Sequence, residues 1–111
     1  MNKETIKTIL QNAAAKESEV TYSSIFKSIN HKYNSKSISL LLNILIEIGE
    51  DCFANNEPPV NVLVSQTGLF FSPNIFDWYC ERYLANHVFK NPRKKYKQKF
   101  FEQEQLACFK F

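Results

Sequence analysis

The stretch from Ser35 to Ala54 constrains this chain more than any other. Ile38, Leu41, Leu42, Leu45, Ile48 and Cys52 recur at the spacing that stacks side chains on one face of an α-helix. Leu40, Ile44 and Ile46 widen that stripe until most of the circumference is apolar. A helix of this kind has to be packed on more than one neighbour, so the segment is expected to be the centre of a domain. Gly49 inside it costs about 1 kcal/mol relative to Ala. The expected reason for it is a close approach by another element. With 111 residues, 44% of them hydrophobic, ten Phe and five Tyr, the chain can fill one core.

The pattern around this helix changes period several times. Ile6, Ile9, Leu10 and Ala13 predict an amphipathic helix from about Lys3 to Ala15. After the polar Lys16–Glu19, Val20 to Ser23 reads as a short extended piece ending in a cap, Thr21 or Ser23. Ile25, Phe26 and Ile29 predict a short second helix that stops near Asn30–Asn34. Ser35 and Ser37 are candidate caps of the long helix, and Pro58-Pro59 is expected to end it. Val60 to Val64 is β-branched and partly alternating, which predicts a strand. Gln66-Thr67-Gly68 reads as a turn and Leu69-Phe70-Phe71 as the returning strand of a hairpin. Ser72-Pro73 signals a helix start, with a helix to about Phe89 carrying Phe76, Tyr79, Cys80, Tyr83, Leu84 and His87 on one face. Asn91-Pro92 repeats the signal for a last helix to about Ala107, with Tyr96, Phe100, Phe101 and Leu106 as its apolar members.

The expected fold class is therefore α+β, mostly helical. Residues 1–72 would form a winged-helix-like core of helices plus a small β-hairpin, and 73–111 added C-terminal helices, in a single domain over 1–111. The run Val20-Thr21-Tyr22-Ser23-Ser24-Ile25 resembles the lead-in to the DNA-binding domain of alkyltransferase-like proteins. There, too, a long third helix is followed by a hairpin wing. The resemblance covers residues 20 to about 72 and implies a scaffold only. That family carries a Pro-Cys-His-Arg run just before the wing. Here Pro58-Pro59-Val60-Asn61-Val62 stands in its place without the reactive Cys, so alkyl transfer is not implied. A scaffold does not settle function.

Charge is more telling than the overall +3. Residues 1–89 carry seven Lys/Arg against nine Asp/Glu, and residues 90–111 carry seven against two. Lys90, Arg93, Lys94, Lys95, Lys97 and Lys99 surround Tyr96 with no acidic residue from 90 to 99. Such a run can neutralise several phosphates, with Tyr96 available to stack on a base. The plainer alternatives are a solvated helix face or a dock for an acidic partner protein. A second candidate region lies at the turn and start of the third helix: His31, Lys32, Asn34, Lys36 and Ser37. The N-terminal residues of a recognition helix reach base edges in a helix-turn-helix. Ordinary cap and turn chemistry accounts for the same residues, and no Arg stands here to read guanine. The hairpin tip, Ser65 to Gly68, lacks the cations a wing would set on phosphate. Trp78, off the main stripe of its helix, joins Tyr79 and Tyr83 as a candidate protein interface.

Several classes are set aside. Two Gly in the whole chain argue against a Gly-rich nucleotide loop, and no cofactor motif is present. Cys52, Cys80 and Cys108, an odd set without CxxC spacing, read as free buried thiols rather than a disulfide framework or a metal site. Cys80 and His87 share a helix face but stand about 10 Å apart along it, too far for a thiolate–imidazole pair. No enzyme is expected. The polar start and the broken apolar stretch Ile38–Ile48 argue against a signal peptide and a membrane span, so the expected location is cytoplasmic. The leading expectation is a non-catalytic module that binds nucleic acid. The alternative is a small protein-binding inhibitor of the toxin-immunity or anti-defence kind. The aromatic C-terminal helices also leave room for a homodimer.

Overall fold

A computed structural model describes residues 1–66, 72–83 and 94–110; the side chains of 83 and 94–99 are outside the described set. The chain is mostly helical. In order come α1 (Lys3–Ala15), β1 (Val20–Thr21), α2 (Tyr22–Ser28), α3 (Ser35–Ala54), a 3-10 turn (Val60–Leu63), β2 (Val64–Ser65), α4 (Pro73–Tyr83) and α5 (Lys94–Lys110).

α3 is the centre that its sequence demands. Leu41, Leu45 and Ile48 are fully buried and Cys52 nearly so, while Leu42, Ile44 and Ile46 are half-buried against the same core. Each fully buried Leu or Ile stabilises the fold by about 1.5–3 kcal/mol. Ile6 and Leu10 of α1, Ile25 and Phe26 of α2, Ile75, Phe76 and Tyr79 of α4, and Phe101 and Cys108 of α5 close around it. Gly49 is where α4 and the 3-10 turn come closest. A Cβ there would overlap the Asn61 amide and the Trp78 ring.

The strand expected over Val60–Val64 is replaced for most of its length by the 3-10 turn, and only Val64–Ser65 is extended. All four residues of the turn are buried, and α1, α3, α4 and α5 pack on it. Its β-branched residues record burial rather than a ladder. Two carbonyls of this buried stretch accept from side chains instead of a neighbouring strand, while Asn61 Oδ1 is buried without a hydrogen-bond partner among the described residues. Gln105 Nε2 donates to the Val62 carbonyl at 2.9 Å, and the Cys108 thiol donates to the Pro59 carbonyl at 3.5 Å. Asn61 Nδ2 in turn donates to the Leu45 carbonyl of α3 at 3.0 Å. β2 pairs in parallel with β1, Val20 opposite Val64 and Thr21 opposite Ser65. Ser65, expected at a hairpin tip, is buried and donates to the Val20 carbonyl. Thr67, Gly68 and the returning strand Leu69–Phe71 lie outside the described residues.

The first three helices end alike. At each C-terminus one residue turns left-handed: Glu17 (φ 53°), Asn30 (φ 54°) and Asn56 (φ 55°). The next N–H then reaches back five residues, Ser18 to Ala13, His31 to Phe26 and Glu57 to Cys52, each at 2.9 Å. This is a Schellman closure. α3 is thus ended by Asn56, before Pro58 acts. Its start is also corrected. Asn34, not Ser35 or Ser37, is the cap, accepting from the Ser37 N–H at 2.9 Å. Thr21 caps α2 in a reciprocal box with Ser24. Ser72 precedes α4 as expected, but its hydroxyl is taken by the buried Tyr22 phenol, and its carbonyl accepts from Phe76 N. α5 runs to Lys110, past the expected end near Ala107.

Candidate nucleic-acid interface

The site begins with the turn between α2 and α3. The Schellman closure fixes residues 26–31, and the Asn34 cap fixes the start of α3. His31 braces the interval, its Nδ1 lying 3.1 Å from the Lys32 carbonyl and 3.3 Å from Ser37 Oγ. The His31 ring lies 5.9 Å from that of Phe26, which is buried, and Tyr33 meets Phe26 edge-on at 5.2 Å. Of the residues expected here, Lys32 and Lys36 are exposed and free to meet solvent anions. Asn34 is engaged in capping, and Ser37 is buried.

Two features of this surface escape a reading by motif. Tyr33 is 49% exposed although its ring is held on Phe26. From Val20 to Ile46 the chain has no Asp or Glu, while Lys27, Lys32 and Lys36 lie within it. Counting acids along the chain would have found that span; the exposure of Tyr33 needs the fold. The acids of α3 sit at the other end. Asp51 pairs with Lys3 at 3.0 Å, and Glu50 accepts from Trp78 Nε1 at 2.9 Å and pairs with Arg82 at 2.8 Å. Lys36 therefore stands at the positive end of the α3 dipole and Glu47, Glu50 and Asp51 toward its negative end. This order is the reverse of the one that stabilises a helix, where each favourable charge contributes about 0.3–1 kcal/mol.

α5 repeats only the N-terminal half of this pattern, since Lys110 stands in its last turn, where a cation is favourable. Lys94, Lys95, Tyr96, Lys97 and Lys99 form its first turns, the end where cations are unfavourable. Their side chains, and Lys90 and Arg93 altogether, lie outside the described residues. Two aromatic interface residues need correction. Trp78 and Tyr79 are core, 7% and 2% exposed. The indole covers Gly49 and bonds Glu50, and Tyr79 meets Phe101 edge-on and donates to the Phe100 carbonyl. The side chain of Tyr83 lies outside the described set, as does His87.

The thiols behave as buried hydrophobes. Cys52 and Cys108 line a cavity of about 300 Å³ with Lys7, Gln11, Glu57 and Phe109. Burial first, then the charges of Glu104 and Cys52, holds the Cys108 thiol up at about 12, and burial raises Cys52 too. A thiol that keeps its proton is a poor nucleophile and a poor metal ligand. Among the described residues no three His, Cys, Asp or Glu gather into a metal site, and no helix is long and apolar enough to cross a membrane. No protein-family model, curated protein or solved structure matches the chain. The winged-helix resemblance thus rests on the Val20–Ile25 run and the element order read from the sequence.

Proposed function

We propose that this chain is a non-catalytic, cytoplasmic module that binds nucleic acid mainly through phosphate contacts. Lys90, Arg93, Lys94, Lys95, Lys97 and Lys99 form the main electrostatic footprint, and the α2–α3 turn forms a second. The observation that carries this is the cationic N-terminal end shared by two helices. Cations stand at the N-terminal ends of α3 and α5, where they weaken the helices, so stability does not account for them. An anion docked at both ends would offset that cost. The winged-helix-like core over 1–72 belongs to the same proposal, with α2, the turn and α3 as its helix-turn-helix.

The alternative, a stoichiometric inhibitor of a partner protein, would use Trp78, Tyr79, Tyr83 and the basic tail, of which Trp78 and Tyr79 are not exposed. Both are spent in the core. The decisive experiment compares the chain with its Lys94→Glu, Lys95→Glu, Lys97→Glu triple variant by anisotropy of labelled oligonucleotides. The expected result is a loss of affinity of at least about tenfold with a shallower salt dependence. Unchanged affinity and salt dependence would remove the footprint.

A further inference from the structure

We propose that the α2–α3 turn is a stacking platform for an unpaired base, with Tyr33 as the stacking residue and Lys27, Lys32 and Lys36 as its phosphate contacts. This rests on the nucleic-acid reading above and narrows it to single strands.

A large aromatic left half in water forgoes the free energy of burial. Tyr33 is the most exposed aromatic among the described residues, at 49%, yet its ring is fixed edge-on against the buried Phe26. The backbone around it is clamped on both sides, by the closure from His31 to Phe26 and by the Asn34 cap. His31 ties the two clamps together through Ser37. A ring held this way loses little freedom when a base stacks on it, so most of the contact energy is kept as affinity.

The surroundings fit a nucleotide. Lys32 adjoins Tyr33, Lys36 lies in the first turn of α3, and Lys27 lies in the last turn of α2; all three are exposed. No carboxylate occurs between Val20 and Ile46 to repel a phosphate. The same surface is poorly equipped for duplex DNA. It holds no Arg, its Asn34 is occupied in capping α3, and its Ser37 is buried with the hydroxyl against His31, so base edges in a groove have little to meet. An aromatic flanked by lysines is instead the arrangement that binds single strands with little sequence preference.

The test measures binding of the full chain to single-stranded DNA and RNA of about 12 nucleotides, to the corresponding duplexes, and to a polyglutamate peptide. Tyr33→Phe keeps the ring, Tyr33→Leu keeps an apolar cover on Phe26 without a planar face, and Tyr33→Ala removes both. The expected result is near-normal single-strand affinity for Tyr33→Phe and a loss of about tenfold for Tyr33→Leu and Tyr33→Ala. Duplex binding and the salt slope should stay as in the parent, since no charge changes. Comparing the DNA and RNA arms shows which strand is preferred. If the parent binds single strands and Tyr33→Leu, folded by circular dichroism, binds them equally well, the platform is overturned while the electrostatic reading stands. If the parent binds no nucleic acid, or polyglutamate matches the single strands at equal salt, both are overturned.

Discussion

Gly49→Ala is the sharpest probe of how the core is assembled. In an exposed helix this change would stabilise by about 1 kcal/mol. Here the added methyl would overlap the Asn61 amide and the Trp78 ring, and neither neighbour is free to yield. Asn61 is fully buried, and its amide bonds the Leu45 carbonyl at 3.0 Å. Trp78 is held by Glu50 at 2.9 Å. Displacing Asn61 breaks a buried hydrogen bond, at about 1–3 kcal/mol. The forced repacking adds a cost of about 1–3 kcal/mol. After the gain in helix propensity, the net loss is about 1–5 kcal/mol. For a chain of this size the melting temperature should drop by roughly 4–20 °C. Thermal and urea unfolding followed by circular dichroism measure it. A variant as stable as the parent, or more so, would show that α4 and the 3-10 turn do not meet α3 at this glycine.

Glu17 ends α1 in the left-handed region, where an L side chain is strained by about 1–2 kcal/mol. Glu17→Gly should therefore raise stability by roughly 0.5–1 kcal/mol, seen as a higher melting temperature; a lower one would contradict the assignment. The thiols predict a reactivity order. Cys80, half-buried, should be alkylated by iodoacetamide in the folded protein at pH 8, and Cys52 and Cys108 only once denaturant opens the core. The pH dependence follows from the same burial. The unfolded chain loses the Cys108 proton near 9 while the fold retains it up to about 12, so stability falls as pH rises through that window. Cys108→Ala should flatten that decline, and an unchanged alkaline slope would argue against the buried placement.

The helices were legible because amphipathic spacing is a local record of which face is buried. α1 and α3 run over the residues their periodicity marks, Lys3–Ala15 and Ser35–Ala54. Gly49 announced a close approach without naming Asn61 or Trp78 as the neighbours, because those come from distant segments. Val60–Leu63 misled because β-branched residues fit any fully buried backbone, and here α-helices rather than strands surround it. Trp78 misled for a related reason. It lies off the stripe that faces α5, but α4 is packed on a second side against Gly49. For the site, the basic residues were legible as charge, and the role of Asn34 as a capping group was the plainer of two readings. The exposure of Tyr33 was not legible, since the neighbouring Phe26 takes the buried position and only the fold decides between two adjacent aromatics.

The central claim is that late-chain cations meet phosphate, and the salt dependence of binding tests it most directly. The logarithm of the association constant for a single-stranded oligonucleotide should fall linearly with the logarithm of salt concentration. A slope near −4 is expected if all six cations from Lys90 to Lys99 contact phosphate, at about 0.7 per contact. Partial engagement would still leave a slope of about −2 or steeper. Binding that is absent at low salt, or that persists with a slope near zero, would contradict the account.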